Sequence, residues 1–180
     1  SLLACSLASA QTYSRTETIT YYDNPTKWVL GQTATVSDFG TGLVQSSTSF
    51  DPTTALPLTT TSFGKLQSTA TYNANGTLAT IKDGNNKTTT FSNWKRGIPQ
   101  TILYADSTTQ SAVVNDSGWL TSVTDENGFT TSYGYDSMGR MASITHPTGD
   151  TVAWAGTTRS FVPVASVEYG IPAGHWRETV

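Results

Sequence analysis

The chain has 180 residues, with 10 Lys and Arg against 13 Asp and Glu, and a formal charge of −3. A mildly acidic chain without a basic cluster is not built to read a phosphate backbone, so no nucleic-acid partner is expected. Charged residues make up 13%, about half the share usual in soluble domains. Thr fills much of that gap, and with 11% aromatics the composition is that of strands, whose pleated surface suits β-branched and aromatic side chains.

Residues 1–10, SLLACSLASA, are small and apolar. Ala8-Ser9-Ala10 resembles a signal-peptidase site, but no basic segment precedes it. The stretch reads as a signal remnant or as the ragged edge of a fragment. Cys5 is the lone cysteine, so neither an internal disulfide nor a Cys-based zinc site is expected. No apolar run reaches the roughly 18 residues that suggest a membrane span. Residues 11–71 read as degenerate repeats with insertions, in which Tyr22-Asp23 and Phe50-Asp51 echo a later aromatic–Asp step.

Residues 72–154 hold regular repeats. Gly76, Gly97, Gly118 and Gly139 stand at a constant step of 21 residues, as do Ile81, Ile102, Val123 and Ile144. The same step joins Phe91, Ala112, Tyr133 and Trp154. Asn75-Gly76 and Asn127-Gly128 are dipeptides favoured where both central turn residues need positive φ, which predicts type I′ turns. Short strands lie between the turns, and Phe129, Thr131, Tyr133 and Tyr135 alternate along one face. About 21 residues therefore give one β-hairpin, and such hairpins bury their faces only by stacking. The fold predicted is all-β: stacked antiparallel hairpins forming a curved sheet or part of a shell. Residues 155–180 read as an irregular continuation, with Pro163 and Pro172 favouring edge or loop positions.

The run Tyr133-x-Tyr135-Asp136-x-x-Gly139-Arg140-Met141-x-x-Ile144-Thr145-x-Pro147-x-Gly149 resembles the YD repeat of the bacterial rearrangement-hotspot (RHS) family. Tyr72-Asn73-x-x-Gly76-x-Leu78-x-x-Ile81 is similar to a looser copy, and Tyr22-Asp23 with Lys27–Gln32 also resembles such proteins. The resemblance implies a fragment of the repeat region. In these proteins β-hairpins wind into a hollow shell around a C-terminal toxin domain, in a secreted or cell-surface protein. Flanking repeats and an enclosed toxin would then be the partners. The family's Asp-Pro-x-Gly-Leu self-cleavage motif is absent, since Asp51-Pro52 continues as Thr-Thr-Ala.

Residue types that could carry chemistry are read against this frame. His146 and His175 lack metal-site spacing, and the column of His146 also holds Asp83, Tyr104 and Asp125, which suits a solvated turn. Asp125-Glu126-Asn127-Gly128 opens like a calcium loop but runs into a strand, so a type I′ turn is expected there. The column of Asp136 also holds Asn73 and Asn115. Capping of a turn backbone suits that set better than proton transfer, because Asn cannot ionise. Arg140 either aids that cap or lies exposed. No nucleotide loop or nucleophile elbow appears, so no catalytic residue, metal or cofactor is expected. Phe91, Tyr133 and Trp154 form an aromatic ladder that either packs or offers a platform for stacking sugars. The function expected is a non-enzymatic shell segment, with a carbohydrate-binding or wall-associated adhesin as the alternative.

Overall fold

A computed structural model describes residues 15–148 and 155–180. Residues 1–10, with Cys5, and residues 149–154, with Gly149 and Trp154, lie outside the described residues. Among the described residues there is no α-helix, only a 3-10 turn at Pro25–Lys27. Strands β1 to β13 follow one another in chain order across a 13-stranded sheet, and each neighbouring pair with a defined register is antiparallel. This is the hairpin-after-hairpin architecture that the 21-residue period predicts.

The chain divides into two compact units, one running to Ala70 with Lys82–Asn86, the other holding Thr71–Ile81 and everything from Lys87 onward. The first unit contains β1 (Glu17–Asn24), β2 (Val29–Asp38), β3 (Val44–Phe50), β4 (Pro57–Ser62) and most of β5 (Lys65–Tyr72). Its strands are rich in Ser and Thr, and the hydroxyls meet across the ladder. Thr20 pairs with Thr35, Ser47 with Thr61 and Ser49 with Thr59, each at 2.6 Å. Each pair is worth a few tenths of a kcal/mol up to about 1. Tyr22 stacks on Phe50 with centroids 4.9 Å apart. The buried Asn24 amide donates to the Pro52 carbonyl at 2.8 Å, while its oxygen accepts from the Lys27 amide.

The second unit carries the regular repeats: β6 (Leu78–Asp83) in part, β7 (Thr88–Lys95), β8 (Ile98–Leu103), β9 (Thr109–Val114), β10 (Leu120–Thr124), β11 (Thr130–Tyr135) and β12 (Met141–Thr145). It continues through β13 (Thr157–Thr158) to a separate two-stranded sheet of β14 (Ser160–Pro163) and β15 (Trp176–Thr179). Pro163 ends an edge strand, where a missing N–H leaves no ladder bond unmade.

The turns differ from the type I′ geometry predicted at the Asn-Gly pairs. At Asn73, Asn115, Asp125 and Asp136 the first residue's N–H donates to the carbonyl four positions on. Its own carbonyl accepts from the N–H three positions on. Only the fourth residue is left-handed: Gly76, Gly118, Gly128 and Gly139, with φ between +81° and +87°. Asn75 and Asn127 do not have positive φ. These are three-residue loops, a type I turn closed by one left-handed residue, which needs one glycine where type I′ needs two tolerant residues. True two-residue turns occur at Phe63-Gly64 and Arg96-Gly97, where both residues have positive φ. Gly97 therefore shares the 21-residue column but serves a different turn.

The spacing Leu120-x-x-Val123 and Met141-x-x-Ile144 has a strand-level cause. Leu120 faces Val114 while Val123 faces Ala112, so Thr121 is an extra residue in β10. Met141 faces Tyr135 while Ile144 faces Tyr133, so Ala142 is extra in β12. A β-bulge beside each turn thus returns residues three apart to one face, where a regular strand would separate them. Apolar burial is thin: Ala55, Val114 and Val164 are the buried hydrophobic residues among those described. Within this unit the hairpins gain stability from one another along the sheet more than from a central core.

Candidate functional site

The motif turn joins β11 to β12. Asp136 Oδ1 accepts from the Met138 and Arg140 amides, both at 2.9 Å. Its other oxygen accepts from Arg140 Nε at 2.7 Å. The Arg140 amide, with help from the Arg140 side chain and the Met138 amide, holds the Asp136 carboxyl below its usual pKa, against a smaller upward push from burial. A carboxylate committed to three donors is poorly placed to move protons. Asn115 and Asp125 do the same for their turns, accepting from the Trp119 and Phe129 amides at 2.9 and 2.8 Å.

Arg140 is not exposed. Its guanidinium carbon lies 4.2 Å from the Phe161 ring centroid and 4.7 Å from that of Trp176, between two aromatic faces supplied by β14 and β15. One repeat earlier, Trp119 occupies the same position in the 21-residue frame. Its ring lies 5.2 Å from that of Tyr135 and against Gly139, where a Cβ would sit 2.5 Å from the indole. Gly139 is thus required twice, by its φ of +81° and by this contact. Tyr135 completes the joint, its hydroxyl donating to the Leu120 carbonyl at 2.7 Å. Trp94 makes the matching bond to the Leu78 carbonyl at 3.0 Å. The turn at Gly118 is tied to the preceding one through Arg96 Nε, which donates to the Asp116 carbonyl at 3.1 Å, and through Lys95, which pairs with Asp116 at 2.8 Å.

The aromatic ladder lies on one face. Phe91 stands opposite Ile102, which in turn faces Gln110; Ala112 stands opposite Val123, which faces Thr131; and Tyr133 stands opposite Ile144. Trp154, the fourth rung, is outside the described residues. Phe91 and Tyr133 are half-buried beside aliphatic partners. At the small rung, Ala112, an apolar recess of about 220 Å³ opens, lined by Ile98, Pro99, Ile102, Leu120 and Val123 among others.

His146 follows β12, half-buried. In the hairpin end beyond β14, His175 Nδ1 lies 2.8 Å from the Pro172 carbonyl and Nε2 lies 3.9 Å from Glu168. Among the described residues no group of three or more His, Cys, Asp and Glu could hold a metal. No helix among them is long and apolar enough to cross a membrane. Sequence reasoning missed Trp119, Phe161 and Trp176 as partners of the motif. The frame holds a signal for Trp119, which shares its column with Arg140. Phe161 and Trp176 are brought in by a hairpin outside the regular period.

The RHS Repeat family model matches residues 114–151. A crystal structure of a TcdB2–TccC3–Cdc42 complex is similar to this chain at TM-score 0.52 and 17% identity, covering 78% of this chain and 9% of that one. The Tc holotoxin pore of Photorhabdus luminescens, with a mutation in TccC3, gives TM-score 0.42 and 15% identity, over 79% of this chain and 10% of that one. The first likeness shows the fold, and the second adds no argument to it. The chain spans about a tenth of the length of these solved chains. No curated protein matches it in sequence. The stretch that the RHS Repeat model matches contains the whole run from Tyr133 to Gly149.

Proposed function

We propose that the chain is a non-enzymatic structural segment of an RHS shell that encloses a C-terminal toxin or effector domain, in a secreted or cell-surface bacterial protein. One observation carries the reading: the polar groups of the motif turn are engaged in holding the turn and in joining it to neighbouring hairpins. Asp136 caps its own turn, Arg140 lies between Phe161 and Trp176, and the Tyr135 hydroxyl bonds to Leu120. A repeat whose side chains bind the next repeat builds a wall. Phe91 and Tyr133 stand opposite Ile102 and Ile144, which supports packing over a sugar platform.

Limited proteolysis of the product of the full reading frame tests this. The segment downstream of the repeats is expected to resist protease in the wild type and to be cut in a Gly139→Val variant, whose joint to Trp119 is blocked. Equal cutting of that segment in both proteins would overturn the reading. Saturable glycan binding, lost in a folded Tyr133→Ala variant, would instead favour the adhesin.

A further inference from the structure

The β14–β15 hairpin lies outside the 21-residue period, yet it meets the motif at Arg140. Phe161 stands opposite Glu178 and Pro163 opposite Trp176, so Phe161, Pro163, Trp176 and Glu178 share a face of the hairpin. That face presents two rings to the Arg140 guanidinium at 4.2 and 4.7 Å. Arg140 Nε is held at 2.7 Å by Asp136, which restrains the guanidinium where both rings reach it. A backbone bond from the Arg159 amide to the Ala142 carbonyl, at 2.7 Å, ties the start of the hairpin to β12. An ion pair joins Arg159 to Glu178 within the hairpin at 3.4 Å.

The repeat frame supplies an independent argument. Position 119 precedes 140 by one period, and Trp119 there reaches forward to Tyr135 and Gly139 of the following turn. The residue after the turn glycine is therefore the forward connector in both repeats. Where the regular series gives way to the β14–β15 hairpin, the connector changes from an indole to a guanidinium, and its receiver becomes an aromatic pair.

We propose that Phe161 and Trp176 form a guanidinium-binding site whose resident ligand is Arg140, so that β14–β15 is a latch closed on the motif turn. The planar, weakly hydrated guanidinium is the cation best matched to two ring faces. Lysine at this position would offer a point charge, losing the stacking and the fixed pairing with Asp136. Once Arg140 is withdrawn, the site would take a small guanidinium compound from solution.

The test is hydrogen exchange of residues 160–179 in the full chain. Arg140→Ala is expected to speed exchange there roughly fivefold to tenfold, the range a partly desolvated cation–π pair supports. Arg140→Lys is expected to restore only part of the protection. Methylguanidinium at tens of millimolar is expected to return protection to Arg140→Ala, where sodium chloride at equal ionic strength does not. Phe161→Leu with Trp176→Leu, which leaves the Asp136 turn intact, is expected to open the hairpin and abolish that rescue. Unchanged exchange in Arg140→Ala would overturn the proposal, as would rescue by sodium chloride alone or rescue that persists in the double variant.

Discussion

Gly139 and Gly118 occupy the same column and the same turn position, with φ of +81° and +87°. They differ in what lies beside them. A Cβ at Gly118 would meet Arg96 at 3.5 Å, ordinary contact, whereas at Gly139 it would meet the Trp119 indole at 2.5 Å. Gly118→Ala is therefore expected to cost about 1 kcal/mol of backbone strain. Gly139→Ala should cost at least twice that, because the Trp119–Tyr135 stack must shift as well. Thermal unfolding of the two variants checks this, and equal shifts would contradict it. Gly134 has no positive φ, and a Cβ there would meet the Ser143 hydroxyl, which rotation about the Ser143 χ1 bond moves aside, so substitution there is expected to cost less than at Gly139.

The aspartates in turns, whether they cap the turn backbone or pair with lysine, set an acid limit. Asp38 is lowered by the Thr41 hydroxyl, Asp51 by the Thr54 and Thr53 amides, and Asp106 by the Thr108 hydroxyl. Asp116 is lowered by Lys95 and Asp136 by the Arg140 amide. Each folded pKa lies below the unfolded value of 3.8. Their contribution is thus present above pH 3.8 and lost as pH falls through the lowered folded values. The urea midpoint at constant ionic strength should be lower at pH 3 than at pH 6. Equal midpoints would show that the caps contribute nothing.

At the scale of the element, turn and bulge act as one device. A three-residue loop followed by one extra residue in the outgoing strand keeps Met141 and Ile144 on the face of Tyr133. Deleting Ala142 removes the extra residue and leaves those two side chains two positions apart, still on one face. That deletion should cost about 1 kcal/mol or less. Deleting Ser132 from the unbulged β11 shifts the register and turns its side chains to the other face, with a loss of several kcal/mol. Thermal denaturation of the two deletions reads the difference, and similar losses would rule out the bulge account. The sequence announced the hairpins, because glycine spacing and strand alternation are local. The turn type was not legible: Asn-Gly suits either a two-residue or a three-residue loop, and the choice rests on cross-strand bonds. The bulges left a trace, since Leu120-x-x-Val123 breaks strand alternation.

For the whole molecule, the RHS motif at Tyr133–Gly149 was legible because its residues lie close together in the chain. The cap by Asp136 was legible for the same reason, through the Asn and Asp in its column. The clamp on Arg140 was not, because Phe161 and Trp176 come from a hairpin with no frame-mates and are paired only by β14–β15 register. The ladder through Phe91, Ala112 and Tyr133 was legible as a column. Its recess at Ala112 needed the neighbouring strands to be placed.

The measurement that bears most directly on the shell-wall account is an electron cryo-microscopy map of the full reading-frame product. The expected result is that β1 to β13 run in chain order within a continuous wall of hairpins, with the ladder face of Phe91 and Tyr133 packed and density for another segment enclosed by that wall. A map in which these strands form a free-standing unit, with the ladder face open to solvent and nothing enclosed, would contradict it.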